Sequence, residues 1–242
     1  MRAASGFLTR LPLGSGRDVS AADVARDAWA FPLVGAALGA AVAGVALAAE
    51  LVLPSLAAAA LAVAFGLIAT GALHLDGLAD SADSLGGRTR ERALEIMRDH
   101  AVGAYGAAAI TLDLILRVVL VGALLETSEA LIALVVAGAV SRAAVLPLAL
   151  RLPYARAEPG PGAALSGDLS GGRAALGIAL AAALLPAIRG LDGLVVLALA
   201  ALAVLAVGFL ARRRLGGITG DVLGATVELV ELAVLTGLIV VN

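Results

Sequence analysis

The chain has 242 residues, 61% hydrophobic and 15% charged, with a formal net charge of -2, and its mean hydropathy is +1.03. Such values lie outside the range of soluble domains and make the bilayer the solvent for most of the chain. They argue against a nucleic-acid partner, and the lack of Cys excludes disulfides, thiolate metal sites and a Cys nucleophile; carboxylates and the two His remain as candidate ligands for hard, oxygen-binding metals.

All seventeen basic side chains are Arg, so the Arg positions alone orient the chain. Residues 1–27 are too polar to contain the apolar core of a cleavable signal peptide, and insertion is expected to use the first membrane helix. Within this stretch Ser20-Ala21-Ala22-Asp23 reads as a capping box opening a short interfacial helix that ends near Trp29 and Phe31-Pro32. Apolar runs then fall near 31–49, 53–73, 102–125, 130–150, 174–189, 191–210 and 222–241. At roughly 20 residues per crossing they predict an all-α polytopic bundle of about seven spans in a single domain, 1–242. The run 174–189 is the shortest, and Arg189-Gly190-Leu191-Asp192 follows it at once, so a re-entrant pair is the alternative there.

Arg2, Arg10, Arg17 and Arg26 precede the first span, and Arg88, Arg90, Arg92 and Arg98 lie between the second and third. Arg151, Arg156 and Arg173, then Arg212, Arg213 and Arg214, occupy the later alternate connections. The turns around Glu50 and Glu126 have no Arg, so the Arg-rich side is expected to be cytoplasmic. The Pro- and Gly-rich stretch 153–172 on that side is the longest irregular connection, either a lid or a plain loop.

Two acidic sets stand out. His74-Leu75-Asp76-Gly77-Leu78-Ala79-Asp80-Ser81-Ala82-Asp83 places carboxylates at i, i+4 and i+7, one face of a helix. Like charges so arranged repel unless a cation lies among them, and Mg²⁺ or Mn²⁺ with phosphate oxygens is the usual solution. The second set is Asp221, Glu228 and Glu231, one stripe on the last span, with the glutamates ~10 and ~15 Å deeper than Asp221. Acids at such depth face a cavity or a partner; the structural alternative is pairing with Arg117 or Arg142. Asp113, one turn before Arg117, reads as an internal i, i+4 pair. Asp76, Asp80, Asp83, Asp221 and Asp99 all fall on the Arg-rich side, where both sets can converge on an anionic substrate, and Gly103 and Gly106 permit close approach.

These segments resemble the cobalamin synthase family. The matching stretches are Phe7-Leu8-Thr9-Arg10-Leu11-Pro12, Phe31-Pro32-Leu33-Val34-Gly35, the His74 to Asp83 string, Glu95-Ile96-Met97-Arg98-Asp99, Tyr154-Ala155-Arg156 and Gly216-Gly217-Ile218-Thr219-Gly220-Asp221-Val222-Leu223-Gly224-Ala225. The chain departs from the family pattern at Ser84, where Gly usually follows the third Asp, and at His100, where Ser or Pro is common. The resemblance implies an Mg²⁺-dependent transfer at the cytoplasmic face of the inner membrane, with Mn²⁺ as the other candidate ion. A hydroxyl of α-ribazole, or of its 5′-phosphate, attacks the cobinamide-linked phosphorus of adenosylcobinamide-GDP and GMP leaves. Carried onto this chain it assigns metal binding to Asp76, Asp80, Asp83 and Asp221, and substrate binding to Arg10, Arg98, Arg156, Thr219 and Gly220. Asp99 or Asp83 is then the general base, with His74 as the alternative, and Glu228 and Glu231 are supporting acids. The implied partners are the corrinoid nucleotide, the ribazole and membrane lipid; a homo-oligomer is left open.

Two other readings compete. CDP-alcohol phosphotransferases carry a related Asp-Gly carboxylate array, but their usual Ala-Arg and longer spacing to the later acids are absent here. A cation-coupled transporter would use Asp221, Glu228 and Glu231 as a midplane ion site, yet no inverted repeat relates the two halves of the chain.

Overall fold

The computed structural model describes residues 1–10, 20–99, 101–158 and 162–241. Leu11, Pro12 and Arg17 of the N-terminal segment, His100, and residues 159–161 of the Pro- and Gly-rich connection lie outside these. The described residues form helices, with one isolated backbone bridge between Tyr154 and Ile218 and no strand.

At the N-terminus α1 (Arg2–Leu8) and α2 (Ala21–Asp27) precede the first long helix, α3 (Phe31–Glu50). Ser20 caps α2 through the reciprocal box read from the sequence, accepting from the Asp23 N–H while the Asp23 carboxylate accepts from the Ser20 N–H, each at 3.2 Å. The remaining elements are α4 (Ser55–Thr70), α5 (Leu73–Asp83), α6 (Arg90–Ile96), α7 (Ala104–Glu126), α8 (Ala130–Ala143), α9 (Val145–Arg151), α10 (Ala163–Asp168), α11 (Gly171–Leu215) and α12 (Gly220–Val240). Five helical stretches of the described residues are long and apolar enough to cross a membrane, or six when the bent pair α4 and α5 is taken as one. Leu61, Ile68, Leu112, Leu202, Leu205 and Phe209 point outward, as expected of side chains facing lipid rather than water.

The 45 residues of α11 are about twice what one crossing needs. Gly190 breaks the helix at φ 56° and ψ -128°, a combination open essentially to Gly. Eight residues along an unbroken helix span about 12 Å, yet a Cβ at Gly193 would collide with the Leu185 carbonyl. The chain therefore reverses at Gly190 into two antiparallel arms, 171–189 and 191–215, which agrees with the expectation of about seven spans. Arg189 at this turn pairs with Glu129 at the turn between α7 and α8, so both turns lie at one end of the bundle.

Small residues let the long helices touch. A Cβ at Gly35 would collide with the Gly138 carbonyl and one at Gly39 with the Leu134 carbonyl, so α3 and α8 are in backbone contact.

The second span differs from its expectation. The acidic string His74 to Asp83 follows the apolar run 53–73 directly in sequence, but the chain breaks at Gly71 and Ala72, both left-handed, and α4 and α5 are bent by 89°. The Gly71 N–H bonds the Ile68 carbonyl (3.1 Å) and the Ala72 N–H bonds the Leu67 carbonyl (2.8 Å), a Schellman cap that ends α4. A side chain at Gly71 would run into Arg10 Cγ at 2.5 Å. Beyond the break α5 turns across the axis of α4 and packs against α12 and α7.

Candidate active site

Two elements make the site, α5 and the first turns of α12. Gly77 is what lets them meet: a Cβ there would lie 2.8 Å from the Asp221 carbonyl and 3.0 Å from its Cα, and one at Gly224 would lie 3.2 Å from the His74 carbonyl. Asp76 and Asp80 flank this crossing on α5, one exposed and one half-buried, and Asp221 opens α12. Burial first, then the carboxylates of Asp221 and Asp76, push Asp80 up to about 7 against the pull of the Arg156 guanidinium. Asp76 and Asp80 of the first set and Asp221 of the second thus come together at one crossing.

Asp221 is held from both sides. Arg156 donates to its carboxylate at 2.6 Å and to the Met97 carbonyl at 3.1 Å, joining α12 to the end of α6. The loop carrying Arg156 is pinned to the turn before α12, because the Ala155 N–H bonds the Ile218 carbonyl (2.7 Å) and the Ile218 N–H bonds the Pro153 carbonyl (2.9 Å). Thr219 and Gly220, read as substrate contacts, serve that turn instead. Thr219 is fully buried, accepts from the Val222 N–H at 3.2 Å and donates to Asp221 at 3.1 Å, which leaves its hydroxyl committed to the helix start. Gly220 lies beneath Gly162, whose Cβ would come within 2.9 Å of it.

The three candidate bases, Asp83, His74 and Asp99, meet different surroundings. Asp83, read as metal ligand and candidate base, turns into the bundle, where its two oxygens accept from the N–H groups of Gly103 (2.7 Å) and Gly106 (2.8 Å). It satisfies donors that the first turn of α7 cannot satisfy itself, and the two glycines leave room for its carboxylate. His74 is buried, its Nδ1 has no hydrogen-bond partner among the described residues, and the charges acting on it are Arg142, Glu231 and Arg117 rather than the aspartates. Asp99 is exposed and accepts from the Ala101 N–H at 3.1 Å within its own turn.

Glu228 and Glu231, expected below the aspartates in the same cavity, belong to a separate buried node. Arg117 pairs with Asp113 at 2.9 Å, with Glu231 at 2.5 Å and with Glu228, while Arg142 pairs with Glu231. The node borders a cavity of ≈ 50 Å³ whose lining includes neither Asp76, Asp80 nor Asp221. With both glutamates bound by Arg, the midplane ion site that a transporter would need is not formed. The Asp113 and Arg117 pair was legible from its spacing; the convergence of two more acids on Arg117 was visible only as the weaker alternative.

Among the described residues no three of His, Asp and Glu can grip an ion by themselves. Asp76 and Asp80 supply two adjacent carboxylates, a donor set that fits an ion completed by phosphate oxygens and water, as Mg²⁺ prefers.

A family model described as cobalamin-5-phosphate synthase matches residues 1–239. An adenosylcobinamide-GDP ribazoletransferase of Azorhizobium caulinodans is 44% identical, covering 98% of this chain and 94% of its own length. Proteins of the same name from Klebsiella pneumoniae and Escherichia coli are 39% and 37% identical, covering 98% and 96% of both chains respectively. No solved structure matches. The match spans α5, the Arg156 loop and α12 alike, and the chain belongs to the cobalamin-5-phosphate synthase family.

Proposed function

We propose that this chain is a ribazoletransferase of the cytoplasmic membrane, joining adenosylcobinamide-GDP to α-ribazole or its 5′-phosphate on the cytoplasmic face. The observation that carries the reading is the crossing of α5 and α12 at Gly77, which brings Asp76, Asp80 and Asp221 together beside Arg156. Phosphoryl transfer asks little covalent chemistry of the protein; it asks for positioning and for neutralised charge. The site offers both kinds of group at the end of the bundle where a water-soluble nucleotide arrives.

Asp76 and Asp80 would hold Mg²⁺, or Mn²⁺, together with oxygens of the substrate diphosphate. When bound, the ion would neutralise charge on the transferring phosphoryl group and the leaving oxygen. Arg156 and Arg98 bind phosphate oxygens, and Asp221 orients Arg156. Asp83 is committed to α7 and His74 faces the buried node, so Asp99 is the carboxylate that accepts the hydroxyl proton. The ribazole oxygen bonds to the cobinamide-linked phosphorus, the bond from that phosphorus to the bridging oxygen breaks, and GMP departs with that oxygen. Incubating purified protein with adenosylcobinamide-GDP, α-ribazole and Mg²⁺ tests the reading. GMP should appear only when both substrates are present, and its release without ribazole would indicate a hydrolase instead.

A further inference from the structure

Across Arg156 from the aspartates lies a second hollow, ≈ 340 Å³ in volume, of which the transfer chemistry above uses only Arg98 and Arg156. One wall is Glu91, Leu94, Glu95 and Arg98, which recur at helical spacing along α6 and just beyond it; the other is Arg156 with its two neighbouring alanines. Arg90 braces the base, donating to the Leu215 carbonyl at 2.7 Å and to the Ala155 carbonyl at 3.0 Å. The walls are therefore fixed to α11 and to the loop that carries Arg156.

The free hydrogen-bonding groups are unevenly placed. Arg98 is exposed, and Arg156 Nε has no partner among the described residues, so donors for an anion lie on the side nearest the acids. Glu95 pairs with Arg92 at 2.7 Å, whereas Glu91 has no ion pair among the described residues. Leu94, between them, offers an apolar surface for a flat ring. A ligand that fits has a phosphate at one end and a ring edge with two adjacent N–H donors at the other, since a carboxylate accepts such a pair through both oxygens. Guanine has that edge in N1–H and the 2-amino group; adenine presents an acceptor at N1, which a carboxylate repels.

We infer that this hollow is the guanosine subsite, with Arg98 and Arg156 on the phosphate of the departing GMP and Glu91 on the guanine edge. The inference rests on the transferase reading but locates a part of the substrate which that reading leaves unplaced. Arg156 then touches both the aspartate centre and the nucleotide, so the bond that breaks lies between them.

Binding of GMP, IMP and AMP to the full-length protein in nanodiscs, measured by calorimetry without corrinoid, tests it. IMP differs from GMP only in lacking the 2-amino group and should bind about tenfold more weakly, the worth of one charge-assisted hydrogen bond. Glu91→Ala should weaken both and abolish the difference between GMP and IMP, and Arg98→Ala should weaken both alike while keeping it. Equal binding of GMP and IMP by the wild type, or a preference that survives Glu91→Ala, overturns the subsite. If such a protein still releases GMP from the two substrates, the subsite alone has failed. Absent turnover overturns the transferase reading, and the comparison of GMP with IMP still decides the subsite.

Discussion

Asp80 and Asp83 lie on one helix and meet opposite surroundings. Asp83 is enclosed and bound to two backbone N–H groups, while Asp80 faces other carboxylates at the surface. Loss of Asp83 leaves the buried Gly106 N–H unsatisfied, at about 1–3 kcal/mol, and removes the acceptor of the more exposed Gly103 N–H. Asp83→Ala should therefore lower the unfolding temperature of the purified protein, whereas Asp80→Asn should remove activity at unchanged or higher stability. Equal stability of the two variants would contradict the division of labour. Asp80 also makes a pH signature. Its carboxyl is held at about 7 against an ordinary 3.8, so the folded protein retains a proton that the unfolded chain gives up between those values. Its stabilising contribution is whole below about pH 4 and lost as pH rises through about 7. Without divalent ions the unfolding temperature should fall across that window, and Asp80→Asn should flatten the fall; an unchanged slope would assign it to other groups.

At the level of helices, α12 has two tasks on one stripe. Its first turn presents Asp221 to the site, and about two and three turns deeper Glu228 and Glu231 lock onto Arg117 and Arg142. Removing one partner of a buried ion pair costs about 3–5 kcal/mol because the other charge is left uncompensated. Arg117→Met strands Asp113 and Glu228, leaves Glu231 to Arg142 alone, and should sharply reduce folded protein in membranes, measured as the monodisperse fraction after extraction. Asp113→Asn should do much less, because Arg117 keeps two acids; equal losses would mean that the node does not centre on Arg117. The stripe and the Asp113 spacing were legible in the sequence because helical periodicity survives in any environment. The break between α4 and α5 was not, because apolar residues run through it and Ala72 adopts a left-handed conformation that its side chain does not advertise. Gly71 was the available clue, a residue that commonly ends helices. The fate of Asp83 was hidden for a related reason: identical carboxylates on one helix face separate only when a second helix, here α7, arrives to use one of them.

Across the whole molecule, the bundle has a charged working end and an opposite end of short turns. Arg88 and Arg213 lie at the first and Ser128 at the second, so reporter fusions there should read cytoplasmic, cytoplasmic and external. A different pattern would invert or break the topology and separate the aspartates from cytoplasmic nucleotide. The account depends most on α5 and α12 forming one centre, and GMP release at matched membrane expression measures that directly. Asp80→Asn and Asp221→Ala, changes on helices far apart in sequence, should each lower the rate at least about 10–100-fold, the loss expected for groups that hold or orient a metal centre. Wild-type rates from Asp221→Ala, with Asp80→Asn inactive, would contradict the account, leaving α5 to work alone and α12 as scaffold.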